Sequence, residues 1–469
     1  MENQDERRPR RTRRALIASV AGCAVLGGVL MLLPSGSTGT RAPAPAPEAQ
    51  VLAAVTTGVP VALPDLAVLI GEREAHLRAR PGDAESWAVL GAAYVEQGRR
   101  TADAGYYPKA EKALRRSLKT RDKGAGGNAA ALDGMAALAN ARRDFRAARR
   151  WGEAALKADR KRWTAYPPLI DAYTGLGDHK AAKRTLDRLL ELRSGPAVLA
   201  RAAGVYRDLG RREDAAAALS DAAAGATAQA ERAAYTERAG QLAWERGDLE
   251  VALRHFQEAV RLDPDQRAAL AGQGRTLAAL GRTTEALDAY RMALAKRPCP
   301  EYALELGELY ESLGLAQAAR VQYDSLRTRV RQAAAGGVDE ELVLGRFEAD
   351  HGDPKAAVRR LRAEWRRQPG IAVADARGWA LHRAGEHEEA LRYARIATDK
   401  VRGGGVRSAP YAFHLGMIER ELKLSGPARR HLQEALRINP YFSPVRVPVA
   451  KEALAALGEP PAVQPRGLS

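Results

Sequence analysis

The chain of 469 residues carries 74 Lys and Arg against 57 Asp and Glu, which gives a formal net charge of +17. Aromatic residues make up only 5% of it, which excludes a large mixed core of bulky side chains and favours short helices packed on Ala. The excess of positive charge favours acidic partners such as nucleic acid, anionic lipid or acidic wall polymer. The alternative is that Arg is scattered over solvated helix faces, which gives the same net charge without such a partner. No long basic block with interleaved aromatic residues follows the first residues, which disfavours nucleic acid.

The N-terminal residues are typical of a membrane-directed segment. Residues 1–14 form a basic tail, and residues 15–33 form an uncharged apolar run long enough to cross a bilayer as a helix. Because Arg-rich flanks stay in the cytoplasm, we expect a single-pass cell-membrane protein whose later residues lie outside the cytoplasm. We expect an uncleaved anchor. The alternatives are a signal peptide cleaved near residues 44–46, which would leave a secreted protein, lipidation at Cys23, and an inverted topology that places the chain in the cytoplasm.

Composition divides the remainder into three parts. Residues 34–63 are a Pro/Ala/Gly-rich linker, residues 64–457 are a helical array, and residues 458–469 are a disordered tail. Of the two cysteines, Cys23 falls in the apolar run, so the exported part holds the single thiol of Cys299. The array must therefore be stabilised by packing rather than by an intramolecular disulfide.

Successive amphipathic helices of the array carry an Ala marker at spacings of 33 to 38 residues. A Gly five residues before most markers predicts the end of one helix and the turn into the next. A bulky residue often follows four residues after the marker, and a Pro stops several of the second helices. The markers are Ala110, Ala148, Ala182, Ala215, Ala252, Ala286, Ala319, Ala357, Ala390 and Ala428; the bulky residues include Phe256, Tyr290 and Tyr323, and the stops are Pro264, Pro298, Pro369 and Pro440.

The first helix of the first unit carries Trp87, Leu90, Gly91 and Tyr94 in the spacing W-x2-L-G-x2-Y, followed by a Gly turn. With the Ala markers, this pattern resembles the tetratricopeptide repeat. The resemblance implies an all-α fold, a right-handed α-solenoid of about ten helical hairpins with capping helices, preceded by the N-terminal transmembrane or signal helix. Neighbouring hairpins would share one continuous core, because a single hairpin cannot bury its apolar stripe alone.

In arrays of this family the first helices line the concave side, and the resemblance implies that partners bind there. Trp244 and Trp379 are the most interesting candidates, because aromatic and Arg side chains dominate binding hot spots. The alternative is that each Trp fills the core between hairpins. The inward-facing candidates are Asp171, Arg207, Gln241, Trp244, Arg275, Glu308, Arg346, Trp379, His382 and Met417.

Motifs for chemistry are absent from the sequence. No nucleophile elbow, phosphate-binding loop or H-E-x-x-H run occurs, and the eight histidines are scattered, so we expect no enzyme activity, cofactor or metal site. Chaperone-type members of the family grip a C-terminal carboxylate with Lys and Asn on first helices. The matching positions hold Ala88 and Ala92 in the first unit and Pro167 and Asp171 in the third, so we do not expect that clamp.

These features together predict an extracytoplasmic, membrane-tethered scaffold that binds an unidentified protein or extended peptide. The alternative is a binding module for an anionic cell-envelope polymer or for lipid head groups, driven by the positive excess. Steep weakening of binding by salt would favour the alternative.

Overall fold

The computed structural model describes residues 47–120, 129–296, 299–399 and 405–458. The predicted basic tail, the apolar run with Cys23, the first part of the linker, Pro298 and most of the C-terminal tail lie outside these residues. Within the described ranges the regular elements are 23 α-helices and a short 3-10 turn at Trp163–Ala165, and none is a strand. None of these helices has the length and apolar character that a bilayer crossing requires.

Ten helical hairpins follow one another in the described ranges, as the repeat predicts. Two helices precede them, α1 (Pro47–Thr57) and α2 (Leu63–Ala79), and α23 (Arg446–Ala456) follows them. The hairpins, numbered 1 to 10, are α3 (Ala84–Thr101) with α4 (Tyr106–Lys119), α5 (Ala129–Ala141) with α6 (Phe145–Ala158), α7 (Tyr166–Gly175) with α8 (His179–Leu192), α9 (Pro196–Asp208) with α10 (Arg212–Gly225), α11 (Gln229–Glu245) with α12 (Leu249–Leu262), α13 (Arg267–Ala279) with α14 (Thr283–Lys296), α15 (Pro300–Ser312) with α16 (Ala316–Ala335), α17 (Glu341–His351) with α18 (Pro354–Arg367), α19 (Ile371–Arg383) with α20 (His387–Thr398), and α21 (Ala409–Glu421) with α22 (Ser425–Ile438).

The second part of the predicted linker forms α1. Val55 of this helix is 6% exposed and packs with Val89 and Ala93 of α3 and with Leu66 and Leu69 of α2. Apolar side chains that would be exposed in an extended tether are buried here, which stabilises the helical form.

The Ala markers lie where the hairpins pack most closely. All ten are at most 3% exposed, and each sits in the second helix of its hairpin. The second helices begin after a turn that is capped in several hairpins by Asp; in hairpin 2 the Asp144 carboxylate accepts a hydrogen bond of 2.9 Å from the Ala147 N–H. Pro264, Pro369 and Pro440 stand two residues beyond the ends of α12, α18 and α22, where no further helical hydrogen bond is needed.

The bulky residues that follow the markers fill the space between neighbouring first helices. The Phe256 ring is fully buried, and a Cβ added to Gly272 of α13 would lie 2.5 Å from its Cε1 and Cζ atoms. A Cβ on Gly240 of α11 would lie 2.8 Å from the same ring. The ring therefore joins hairpins 5 and 6 by occupying the space that two glycines leave, which is how one core continues through the array. In hairpin 1, Leu90 is 2% exposed, and the Trp87 Nε1–H donates to the Pro81 carbonyl at 3.0 Å.

The hairpins also contact one another at long range. The turns inside hairpins 2 to 5 lie against the loops that follow hairpins 7 to 10, and we call this contact the seam. A Cβ on Gly210 in the turn of hairpin 4 would lie 2.5 Å from the Gly405 carbonyl oxygen in the loop after hairpin 9. Because each turn meets the loop five hairpins later, hairpins 1 to 5 and 6 to 10 form two layers. The equivalent contacts of hairpins 3 and 5 join Gly177 with Pro369 and Gly247 with Asn439 and Pro440.

Hydrogen bonds and ion pairs hold the seam together. The Asp339 N–H donates to the Arg142 carbonyl at 3.0 Å, and the Arg142 Nε donates to the Gly336 carbonyl at 3.1 Å over a separation of 194 residues. In hairpin 5, the Asn439 Nδ2 donates to the Trp244 carbonyl at 2.7 Å. The seam thus fixes the curvature of the array, and the first helices of hairpins 1 to 5 face a common interior. The other polar contacts of the seam include Arg143 with Glu301 and Glu340, Phe145 with Gln368, Arg146 with Arg366, and Arg212 with Arg407. Within the first layer, Arg100 of hairpin 1 forms an ion pair with Asp263, which follows hairpin 5.

Candidate partner-binding interior

Two neighbouring cavities lie in the interior, with volumes of about 370 and about 330 Å³. The larger, which we call the N-terminal cavity, is lined mainly by residues of α1, α3, α5, α7, α9 and α11. The smaller, which we call the middle cavity, is lined by residues of α7, α9, α10 and α11. Helices that are far apart in sequence therefore share one concave surface, and the volumes fall in the range of known ligand pockets.

Three of the predicted concave residues line the middle cavity: Asp171, Arg207 and Gln241. The Arg207 guanidinium donates to both carboxylate oxygens of Glu245, at 2.8 and 2.7 Å. The Gln241 Nε2 donates to the same carboxylate at 3.1 Å, and Asp171 forms an ion pair with Arg201. Arg207 and Asp171 thus each have a charged partner on the first helix of a neighbouring hairpin.

Arg275 extends this polar wall into hairpin 6. Its guanidinium donates to the Glu305 carboxylate at 3.1 and 3.2 Å and to the Gln241 amide oxygen at 2.9 Å. The guanidinium also lies 5.5 Å from the centre of the Trp244 ring, within the range of a cation–π contact. Trp244 is 7% exposed, so Arg275 rather than solvent covers its ring.

Trp379 lies in a stack of rings in hairpins 9 and 10. Its ring lies 5.0 Å from the His382 ring and 4.3 Å from the His414 ring, and its Nε1–H donates to the Asp350 carboxylate at 2.8 Å. Burial, together with the neighbouring His387 and His414, lowers the pKa of His382 to about 4. The imidazole of His382 is therefore neutral at physiological pH, as a stacked and partly buried ring requires.

The remaining predicted residues lie on hairpins 7, 8 and 10. Glu308 is 3.6 Å from His351 and 3.6 Å from Arg446, an arginine that reaches in from α23. Arg346 is half-buried and forms no ion pair with any residue of the described ranges. Met417 is 7% exposed and packs into the core of the last hairpins. The layer formed by hairpins 6 to 10 therefore carries a further set of charged side chains on its first helices.

Three of the ten candidates are largely buried: Trp244, Trp379 and Met417 are each less than a tenth exposed. For the two tryptophans, side chains of the next hairpin contribute to the burial, because Arg275 lies over Trp244 and His414 stacks on Trp379. The role of all ten candidates in binding a partner stays a prediction.

Two arginines of the interior were missed by the sequence analysis. Arg201 and Arg238 both line the N-terminal and middle cavities. Each stands fourteen residues before its Ala marker, Ala215 or Ala252, so a charged residue recurring at this position was the available signal. The sequence analysis counted the positions eleven and eight residues before each marker and so left this position out.

His382 and His387 approach each other closely, with their Nδ1 atoms 3.1 Å apart. One of these nitrogens must donate while the other accepts, which fixes the tautomers of a neutral pair. Among the residues that the structure describes, no group of three or more His, Cys, Asp or Glu is arranged to hold a metal ion.

The folded part thus belongs to the class of α-solenoids built from stacked helical hairpins. Residues 237–298 and 272–334 match the family model described as tetratricopeptide repeat. The family model thus covers residues 237–334, and the ten hairpins of the described ranges keep the register of that repeat.

Several solved structures are similar in fold. The human IFIT1 dimer with PPP-AAAA is 16% identical over 67% of this chain and 72% of that chain, with a TM-score of 0.45. A chain of the APC/C hetero-tetramer Cut9-Hcn1 is 15% identical over 95% of this chain and 94% of that chain, with a TM-score of 0.32. YrrB, a tetratricopeptide-repeat protein with an unusual peptide-binding site, gives 20% identity over 41% of this chain and 96% of that chain, with a TM-score of 0.28. No curated protein matches the sequence.

Proposed function

We propose that this protein is a scaffold that holds an extended segment of a partner protein in the interior formed by its first helices. One observation carries the proposal: the N-terminal cavity is lined by the first helices of five successive hairpins. A surface built from five repeating elements presents an equivalent helix face at every hairpin. That arrangement suits a chain whose own residues repeat at a regular spacing.

The charges of the interior support a protein segment over an anionic polymer. Arg201, Arg207 and Arg275 each lie against a carboxylate of the interior, so the wall alternates in sign. A polyanion is bound best by a surface of one sign, because every added phosphate or carboxylate then gains an attraction. A polypeptide, with N–H donors, carbonyl acceptors and side chains of both signs, fits an alternating wall.

We further propose that the scaffold works outside the cytoplasm, tethered by residues 15–33. The uncharged run and the Arg-rich residues before it support this topology. A reporter enzyme that is active only in the cytoplasm, fused to the C-terminal end, should be inactive in intact cells. An active fusion would require the inverted topology and would contradict this part of the proposal.

Site-specific crosslinking from intact membranes tests the scaffold itself. A photo-crosslinking residue at Gln241, which lines the middle cavity, should capture a discrete partner band. The same residue at Arg291 of α14, whose side chain is 60% exposed and forms an ion pair with Asp288, is the matched control and should capture none. Capture of the same band from Arg291 alone would place the partner on the outer surface and contradict the proposal.

A further inference from the structure

The N-terminal cavity has mostly apolar walls. Ala88, Val89 and Ala92 of α3 form one side, Ala137 of α5 and Pro167 of α7 form the opposite side, and the end of α1 with its following turn completes it. A volume of about 370 Å³ with such walls suits an uncharged side chain rather than a hydrated ion.

Three ion pairs account for most of the charge around this cavity. Arg99 lies 2.8 Å from Glu96, Arg162 lies 2.6 Å from Asp133, and Arg201 contacts Asp171. These pairs are neutral in sum, so they set up no preference for a charged ligand. Arg238 is the charged residue of this lining that forms no ion pair with a described residue.

Arg238 of α11 lies where three cavities of the interior meet. It lines the N-terminal cavity, the middle cavity and a third cavity of about 260 Å³ beside the turn of hairpin 1. Its guanidinium forms no ion pair or hydrogen bond with a residue of the described ranges, and the Tyr235 ring lies 5.9 Å from it. Glu237, the adjacent carboxylate, lines the middle and third cavities but not the N-terminal one. Burial lowers the pKa of Arg238, and the charges of Arg201 and Arg99 lower it further.

Two buried acceptors face the same cavity without a donor. The Asp133 Oδ2 accepts from Arg162 and from the Thr164 hydroxyl, whereas its Oδ1 has no hydrogen-bond partner, although Asp133 is only 7% exposed. The Asn140 Nδ2 donates to the Pro168 carbonyl at 2.7 Å, whereas its Oδ1 is buried and has no partner. A buried acceptor without a donor is unfavourable, and a ligand N–H placed there would relieve it.

We propose that the N-terminal cavity binds an apolar side chain of the partner together with a carboxylate next to it in sequence, which Arg238 binds. In this arrangement Asp133 and Asn140 accept hydrogen bonds from the backbone N–H groups of the same segment. The inference rests on the proposed function and adds the chemistry of the bound segment. The planar fork of Arg matches a carboxylate, and one guanidinium without an ion-pair partner balances one carboxylate better than a phosphate monoester, which carries nearly two negative charges at neutral pH.

Fluorescence anisotropy with the full chain in detergent tests this site. The probe is a fluorescein-labelled Gly/Ser peptide that contains one Leu-Asp pair, compared with peptides that contain Leu-Asn or Ser-Asp. The Leu-Asp peptide should bind at least about tenfold more tightly than either, because one loses the charge-assisted hydrogen bonds and the other loses the apolar contact. Inorganic phosphate and a single-stranded oligonucleotide are added as competitors and should not displace it.

Variants assign the effect to Arg238. Arg238→Gln should remove the preference for Leu-Asp over Leu-Asn, and Arg238→Lys should keep part of it, because a point charge replaces the fork. Arg282→Gln is the matched control: this arginine pairs with Glu285 on the outer helix α14, its side chain is 44% exposed, and its loss should leave the preference unchanged. Circular dichroism spectra that match the unmodified protein confirm that the variants are folded.

Three outcomes would overturn the inference: no binding of the Leu-Asp peptide, an unchanged preference in Arg238→Gln, or tighter binding of phosphate or oligonucleotide. The scaffold proposal is judged separately, because crosslinking from Gln241 does not depend on Arg238. If Gln241 captures a partner while the Leu-Asp preference is missing, the scaffold stands and this site falls. If Gln241 captures nothing, the scaffold itself falls.

Discussion

Replacing Gly210 by Ala tests the seam, and replacing Gly281 by Ala is the matched control. Both glycines end the first helix of a hairpin, and their φ angles are nearly equal, +76° and +75°. A Cβ at Gly210 would lie 2.5 Å from the Gly405 carbonyl oxygen, whereas a Cβ at Gly281 would have no atom within 4 Å. The two substitutions therefore share the same backbone strain and differ in the contact with the other layer.

The strain and the overlap set the expected magnitudes. A left-handed backbone costs an L-residue about 1–2 kcal/mol, which both variants lose. The overlap at Gly210 adds a cost of the size seen on overpacking, about 1–3 kcal/mol. We therefore expect Gly281→Ala to lower the free energy of unfolding by about 1–2 kcal/mol and Gly210→Ala to lower it by about 2–5 kcal/mol.

Urea unfolding measures the total loss in the free energy of unfolding for each variant, and native-state hydrogen exchange shows where in the structure the loss occurs. Because the overlap at Gly210 can be relieved by parting the layers, the extra loss should appear as faster exchange at the seam, including the Asp339 amide that bonds to the Arg142 carbonyl. Gly281→Ala should leave that exchange unchanged. Equal losses in both variants, with the Asp339 amide equally protected, would refute the seam.

Three further perturbations probe the interior and the core. The pKa of His382 is about 4 in the folded protein and 6.5 in the unfolded chain. The neutral ring therefore stabilises the fold above pH 6.5, and this stabilisation is lost as the pH falls towards 4. Urea titrations should show that acid lowers the free energy of unfolding by at most about 3 kcal/mol through this group, and by less in His382→Gln. Asp263→Asn leaves the Arg100 guanidinium, 6% exposed, without its carboxylate at 2.6 Å, and should lower the free energy of unfolding by about 3–5 kcal/mol. Ala286→Leu places a bulky side chain at a fully buried marker and should lower thermal stability by about 1–3 kcal/mol.

Each of these has its own control. A His382→Gln chain with the full acid sensitivity of the unmodified protein would assign that sensitivity to carboxylates elsewhere. Removing the exposed Arg282–Glu285 pair should leave stability nearly unchanged, and an equally small effect of Asp263→Asn would show that the Arg100–Asp263 pair is exposed in solution. An Ala286→Leu chain as stable as the parent would break the register of the repeat.

The hairpins and their register were predictable from the sequence because the relevant contacts are local. Each Ala marker packs within its own hairpin or against the next one, so the period of the marker reflects the period of the structure. Phe256 shows this most clearly, since its ring lies between Gly240 and Gly272 of two adjacent first helices. Periodicity in the sequence is sufficient to predict contacts of this range.

The seam was not predictable, for a physical reason. Gly210 and Gly281 occupy the same position of the same motif and have nearly the same φ, yet only Gly210 meets another layer. Whether the layers meet depends on small rotations between hairpins, summed over five of them. No local motif specifies that sum.

The candidate site was predictable only in part. Asp171, Arg207 and Gln241 line the middle cavity as expected of residues on the concave face. Trp379 was a candidate because its helix position points inward, but the His414 ring that covers it comes from the next hairpin. The sequence gives the direction of a side chain on its own helix but not the neighbours that bury it.

The most direct test of the enclosed interior is the exchange of one amide hydrogen. The Asp339 N–H lies in a loop but donates to the Arg142 carbonyl of the other layer at 3.0 Å. In the closed form it should exchange as slowly as the amides of the helices next to it. Exchange at the rate of an unbonded loop amide would show that the layers are apart in solution, and it would contradict the interior on which the proposed function depends.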